Sequence, residues 1–100
     1  MIKHLVMWKL KEEAEGATKA ENARKIKQML EALPDKISQL KSLEVGINIL
    51  DSDAAYDAVL ITKFDSVEDG RIYQNHPEHQ KVSQFVSKVR LARTVVDYEC

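Results

Sequence analysis

The chain has 100 residues, with 15 Lys and Arg against 16 Asp and Glu and a formal charge of -1. That is the size of one domain, residues 1–100, and its balanced charge supplies no field to attract nucleic acid or anionic lipid. No apolar run nears the roughly 20 residues that cross a bilayer, and the single cysteine, Cys100, can close no internal disulfide, so a cytoplasmic domain without a membrane partner is expected.

Ile2 to Leu10 alternates, with Ile2, His4, Val6, Trp8 and Leu10 on one face and Lys3, Leu5, Met7 and Lys9 on the other, which predicts a strand with apolar centres on both faces. From Thr18 to Leu33 the apolar residues Ala23, Ile26, Leu30 and Leu33 recur at helical spacing, until Pro34 disfavours helical geometry at Leu33. Leu43, Val45, Ile47 and Ile49 alternate with Glu44, Gly46, Asn48 and Leu50. After the polar turn Asp51-Ser52-Asp53, a second β-type run spans Tyr56 to Phe64, and the two read as a hairpin. Ser66-Val67-Glu68-Asp69 resembles a capping box, with Asp in place of the preferred Glu or Gln, and opens a short helix ending near Asn75. His76-Pro77 breaks that helix, and Pro77 suits the first position of another running through Val89. Ala92 to Glu99 closes the chain as a strand.

The order β-α-β-β-α-β, with its second helix split, predicts an α+β ferredoxin-like domain with a four-stranded antiparallel sheet. Its helices cover one sheet face only. The other carries Leu5 and Met7 in an apolar patch larger than a monomer usually exposes, so a homodimer formed by sheet-to-sheet packing is expected, giving a dimeric α/β barrel.

Two segments, Ile2-Lys3-His4-Leu5-Val6-Met7-Trp8-Lys9-Leu10 and Tyr73-Gln74-Asn75-His76-Pro77-Glu78-His79, resemble the stress-responsive dimeric A/B barrel family, with Phe64-Asp65-Ser66-Val67-Glu68 and Val95-Val96-Asp97-Tyr98 falling where that family has similar runs. The resemblance covers nearly the whole chain and implies the dimeric barrel, with a pocket in each subunit between sheet and helices. It implies little about reaction. One plant member cyclises a polyketide thioester by an aldol reaction, and its catalytic Tyr and His fall on Tyr73 and His79.

The residues give a separate reading of that constellation. His79, in the first turn of the helix opened by Pro77, is kept neutral by the helix dipole and can act as a general base on a carbon beside a carbonyl. Tyr73 can donate its hydroxyl to the developing enolate oxygen. His4, Val6, Trp8, Leu60, Thr62 and Asp97 are candidates for the binding wall, with Asp97 placed to orient a histidine or hold a polar end of the ligand. Against this stand bland roles: a structural Tyr73–His79 hydrogen bond, a strand histidine at His4 satisfied by a neighbour, and a capping role for His76. Arg90 and Arg93 stand where an apolar lining would suit an alkyl chain. If they point inward they favour an anionic or carbonyl-rich ligand, and if they reach solvent they say nothing.

Several functions therefore stand open. One is a ligand-binding enzyme of cyclase or lyase type acting on a small carbonyl-containing or hydrophobic molecule without a cofactor. Others are a non-catalytic stress-associated binding or structural dimer and, least favoured, a cofactor-free monooxygenase. The three histidines match no zinc spacing, so no metal is assigned.

Overall fold

The computed structural model describes residues 1–100. In chain order the elements are β1 (Ile2–Leu10), β2 (Glu13–Ala14), β3 (Ala17–Thr18), α1 (Lys19–Glu31), β4 (Ser42–Ile47), β5 (Ala58–Phe64), α2 (Val67–Asn75), α3 (Pro77–Val89) and β6 (Arg90–Glu99). The four long strands form one antiparallel sheet in the order β4-β5-β1-β6, the ferredoxin-like arrangement, with α2 and α3 as the two pieces of the split helix.

Cross-strand register decides which side chains share a face. His4 lies opposite Thr62 and Asp97, Val6 opposite Leu60 and Val95, and Trp8 opposite Ala58 and Arg93, all on the side toward the helices. Leu5 opposite Ile61 and Val96, and Met7 opposite Val59, occupy the other side. The core is built on the first set. Val6, Leu10, Leu60 and Phe64 pack beneath Ala23, Ile26 and Leu30 of α1 and Val82, Val86 and Val89 of α3. On the other side Leu5, Met7, Val59 and Ile61 are only half covered and Val96 is exposed.

Local chemistry fixes the helix starts. Thr18 Oγ1 accepts the Glu21 N–H while Glu21 Oε1 accepts the Thr18 N–H, a complete capping box on α1. Ser66 Oγ accepts the Asp69 N–H at the start of α2, the half of the box that does not need the missing Glu. His76 caps α3, its Nδ1 accepting the Glu78 N–H at 3.1 Å, with Pro77 at the first helical position.

Four boundaries differ from the sequence expectation. β4 ends at Ile47, whose register partner Ala58 begins β5; past it only the Asn48 N–H still donates across, to the Asp57 carbonyl at 2.9 Å, and Ile49 and Leu50 stand 91% and 77% exposed. β5 correspondingly starts at Ala58 rather than Tyr56. α1 ends at Glu31, with Leu33, Ile37 and Leu40 buried in the turns that follow. β6 starts at Arg90, directly from α3, without any breaker residue. The hairpin β2–β3 has no counterpart in the sequence reading. It turns on Glu15 and Gly16, both with positive φ, and is held against α1 by Asn22 Nδ2 donating to the Ala14 carbonyl at 3.0 Å.

Candidate functional site

The strand alternation that buries the core also leaves a cavity of about 260 Å³ between the sheet and α3. Val6 and Trp8 of β1, Leu60 of β5, Leu30 of α1 and Val82 and Val86 of α3 form its apolar wall. Its polar groups are His4, Gln74, His79, Ser83, Arg90 and Arg93. A hollow of about 360 Å³ adjoins it, sharing His4, Gln74 and Arg93 and adding Asp97, Arg71 and Val95 beside the edge strand β6.

Two histidines stand in the cavity wall, each tied through the same ring nitrogen. His79 Nδ1 lies 3.2 Å from the Gln74 carbonyl, and because a carbonyl only accepts, Nδ1 carries the proton. In the neutral ring Nε2 is then the basic nitrogen, with no partner in the chain. Burial holds the His79 pKa below the usual histidine value, opposed by the Gln74 carbonyl and reinforced by His4, Arg93 and His76 nearby. The ring is therefore neutral at pH 7. His4 Nδ1 lies 2.6 Å from Asp97 Oδ1, its cross-strand neighbour, so here too Nδ1–H donates and Nε2 is left without a partner.

Of the sequence candidates, His79, His4, Val6, Trp8 and Leu60 line the cavity together. Asp97 does not. It reaches the cavity through His4, while its own side chain is 59% exposed in the adjoining hollow. Thr62 is also absent from the wall: it is fully buried, its Oγ1 donating to the His4 carbonyl at 3.5 Å.

Tyr73 departs furthest from the expected arrangement. Its ring packs on His79, centroids 4.5 Å apart, and on Phe64 at 5.1 Å, but it lies behind the wall rather than in it. It is 0% exposed, its hydroxyl finds no hydrogen-bond partner, and burial drives its pKa strongly upward. Neither the expected hydrogen bond to His79 nor a hydroxyl presented to a ligand is present in this arrangement. What the two side chains share is ring contact, which fixes the plane of the imidazole.

Arg90 and Arg93 both line the cavity. Gln74, Ser83, Val82, Val86 and Leu30 are wall residues not among the sequence candidates. A signal for three of them was available, since 82, 83 and 86 follow His79 at helical spacings of three, four and seven and so share its face.

Comparison with known proteins accords with this architecture. The profile of the stress responsive A/B barrel domain matches residues 2–100. A dimeric protein of unknown function with a ferredoxin-like fold from Bacteroides fragilis is 31% identical and superposes with a TM-score of 0.84, over 99% of this chain and 95% of its own. A dimeric ferredoxin-like protein from Thermobifida fusca is 21% identical, with a TM-score of 0.84 over 99% and 90% of the two chains. The hydroxynitrile lyase of Passiflora edulis is 15% identical, with a TM-score of 0.79 over 97% and 90%. These last two share the fold alone. No curated protein matches the chain.

Proposed function

Because the chain belongs to the stress responsive A/B barrel domain family, we propose that it is a homodimer whose sheet–helix cavity binds a small carbonyl compound, with His79 as the base that removes a proton beside the carbonyl. The observation that carries this reading is the state of His79: neutral through burial, with Nδ1 committed to Gln74 and Nε2 free on a ring in a wall that is half apolar and half polar. In the step proposed, Nε2 takes a proton from the carbon, the C–H pair moves into the enolate, and the Gln74 side-chain amide donates to the enolate oxygen. Tyr73 is a positioning residue, holding the imidazole by ring contact. That a hydroxynitrile lyase has been built on the same architecture supports an enzymatic use of such a pocket.

Dimerisation is read from the opposite side of the sheet. Leu5, Met7, Val59, Ile61 and Val96 form a patch the helices cannot reach, and the Bacteroides and Thermobifida neighbours are dimeric. Packing two such faces together would bury it.

Deuterium uptake into the methyl group of acetophenone in D2O tests the chemistry. The wild-type protein is expected to accelerate exchange, and His79→Gln to abolish the acceleration while leaving the fold and the dimer intact. Acetophenone bound without exchange would make the pocket a carrier site, the non-catalytic reading. Exchange undiminished in His79→Gln would remove His79 from the chemistry.

A further inference from the structure

Arg90 and Arg93 are three residues apart, and in a regular strand an odd separation sends two side chains to opposite faces. Here both line the cavity. The reason is a bulge: Leu10 pairs with Arg90 and Lys9 with Ala92, so Leu91 is an extra residue in β6, and the parity changes at it. Arg90 thereby joins Arg93 on the helix side, opposite Leu10 and Trp8 respectively. The arrangement has a cost, since Leu91 loses its place in the ladder and is left 67% exposed. Arg90 is half-buried and Arg93 is exposed, so the pair lines the cavity from its solvent side.

Neither arginine is neutralised within the chain. No ion pair involves Arg90 or Arg93, and the cavity wall contains no Asp or Glu. Asp97, which lines the adjoining hollow together with Arg93, is held by His4. Two unpaired guanidiniums therefore line a cavity that also has the buried apolar side chains of Val6, Trp8, Leu60 and Val86 in its wall. Guanidinium presents a planar fork of donors that matches a carboxylate in two parallel hydrogen bonds.

We propose that the ligand is a small carboxylic acid anion, its carboxylate held between Arg90 and Arg93 and its apolar body directed inward past Trp8, with the reacting carbonyl carried toward His79. The proposal rests on reading this cavity as the ligand site and adds the class of molecule it selects. The cavity volume of about 260 Å³ restricts that molecule to a single ring or a short chain.

A matched pair of probes tests it: 4-oxo-4-phenylbutanoate, which is acetophenone extended by a carboxylate arm, and its neutral amide, titrated into the full-length protein by calorimetry. The carboxylate is expected to bind about ten-fold tighter than the amide, the loss that follows from removing a charge-assisted hydrogen-bond partner. Arg93→Gln and Arg90→Gln are each expected to shrink that preference, and the double variant to erase it. Arg93→Lys, which keeps the charge without the fork, retains part of it and guards against a folding defect. Equal binding of acid and amide, a preference that survives the double variant, or inorganic phosphate binding more tightly than the carboxylate overturns the proposal. The His79→Gln protein separates the two readings. It should keep the preference for the carboxylate while losing deuterium exchange beside the ketone. Exchange absent from the wild type with the preference intact would refute the base and leave the carboxylate clamp standing.

Discussion

The two faces of the sheet are made by the same strands, displaced by one residue, and they differ in almost every physical respect. On the helix side, alternate residues of β1 and β5 from His4 to Leu10 and from Ala58 to Phe64 are buried, beside a cavity lined by two histidines and two arginines. On the other side the intervening residues are half covered, the apolar centre is Leu5, Met7, Val59 and Ile61, and the ionisable groups are Lys3, Lys9, Lys63, Glu44 and Tyr98. A sheet can thus keep the proposed chemistry apart from the proposed association with no change of backbone, because side-chain parity does the sorting.

That contrast can be broken by substitution. The largest effect is expected from Phe64→Ala, which removes a fully buried ring packed on Tyr73; the cavity left should cost about 3–5 kcal/mol in urea unfolding. The loss should be much the same at every protein concentration. Met7→Glu, from the other face, should instead act through concentration: a charge placed in the proposed subunit interface should raise the dimer dissociation constant on the order of 100-fold, read by sedimentation equilibrium. Dimers that survive it would place the interface elsewhere.

Tyr73→Phe is expected to leave stability unchanged or raise it, by up to about 1–3 kcal/mol, since the hydroxyl it deletes is buried without a partner. A clear loss of stability would show that the hydroxyl is bonded after all. The smallest effect concerns pH. Burial lowers the folded-state pKa of His79 below its unfolded value, so between the two the unfolded chain binds more protons. Stability is then retained above the ordinary histidine value of about 6.5 and falls as the pH drops below it. His79→Gln should remove that part of the slope. Dimerisation should be indifferent to this range, because the face proposed to associate carries no histidine.

Much of this was legible in the sequence because local signals and tertiary demands agreed. Proline and histidine at 76–77 punctuate the helix, and the strict alternation of β1 assigns each side chain to a face. Where the two disagreed, reading failed. The alternation of Val45, Ile47 and Ile49 continues past the last paired residue of the ladder, and only pairing could reveal that β4 stops. Glu13 to Thr18 is too short to show a period, so the β2–β3 hairpin is visible only through its turn. The direction of Arg90 depends on the bulge at Leu91, which inverts parity without leaving a glycine or proline to announce it. Tyr73 and His79 were brought together by spacing, as their ring contact shows, but six residues across a helix break do not say which of the two faces a cavity and which braces its neighbour.

One nitrogen, Nε2 of His79, decides the proposed chemistry. Long-range 15N–1H correlation spectra of the histidine rings, recorded at pH 7 on the free protein, distinguish the two neutral tautomers directly. His79 should appear neutral with its proton on Nδ1, and its bare Nε2 resonance should move when 4-oxo-4-phenylbutanoate binds. A His79 ring that is charged at pH 7, or that carries its proton on Nε2, would contradict the assignment of this residue as the base.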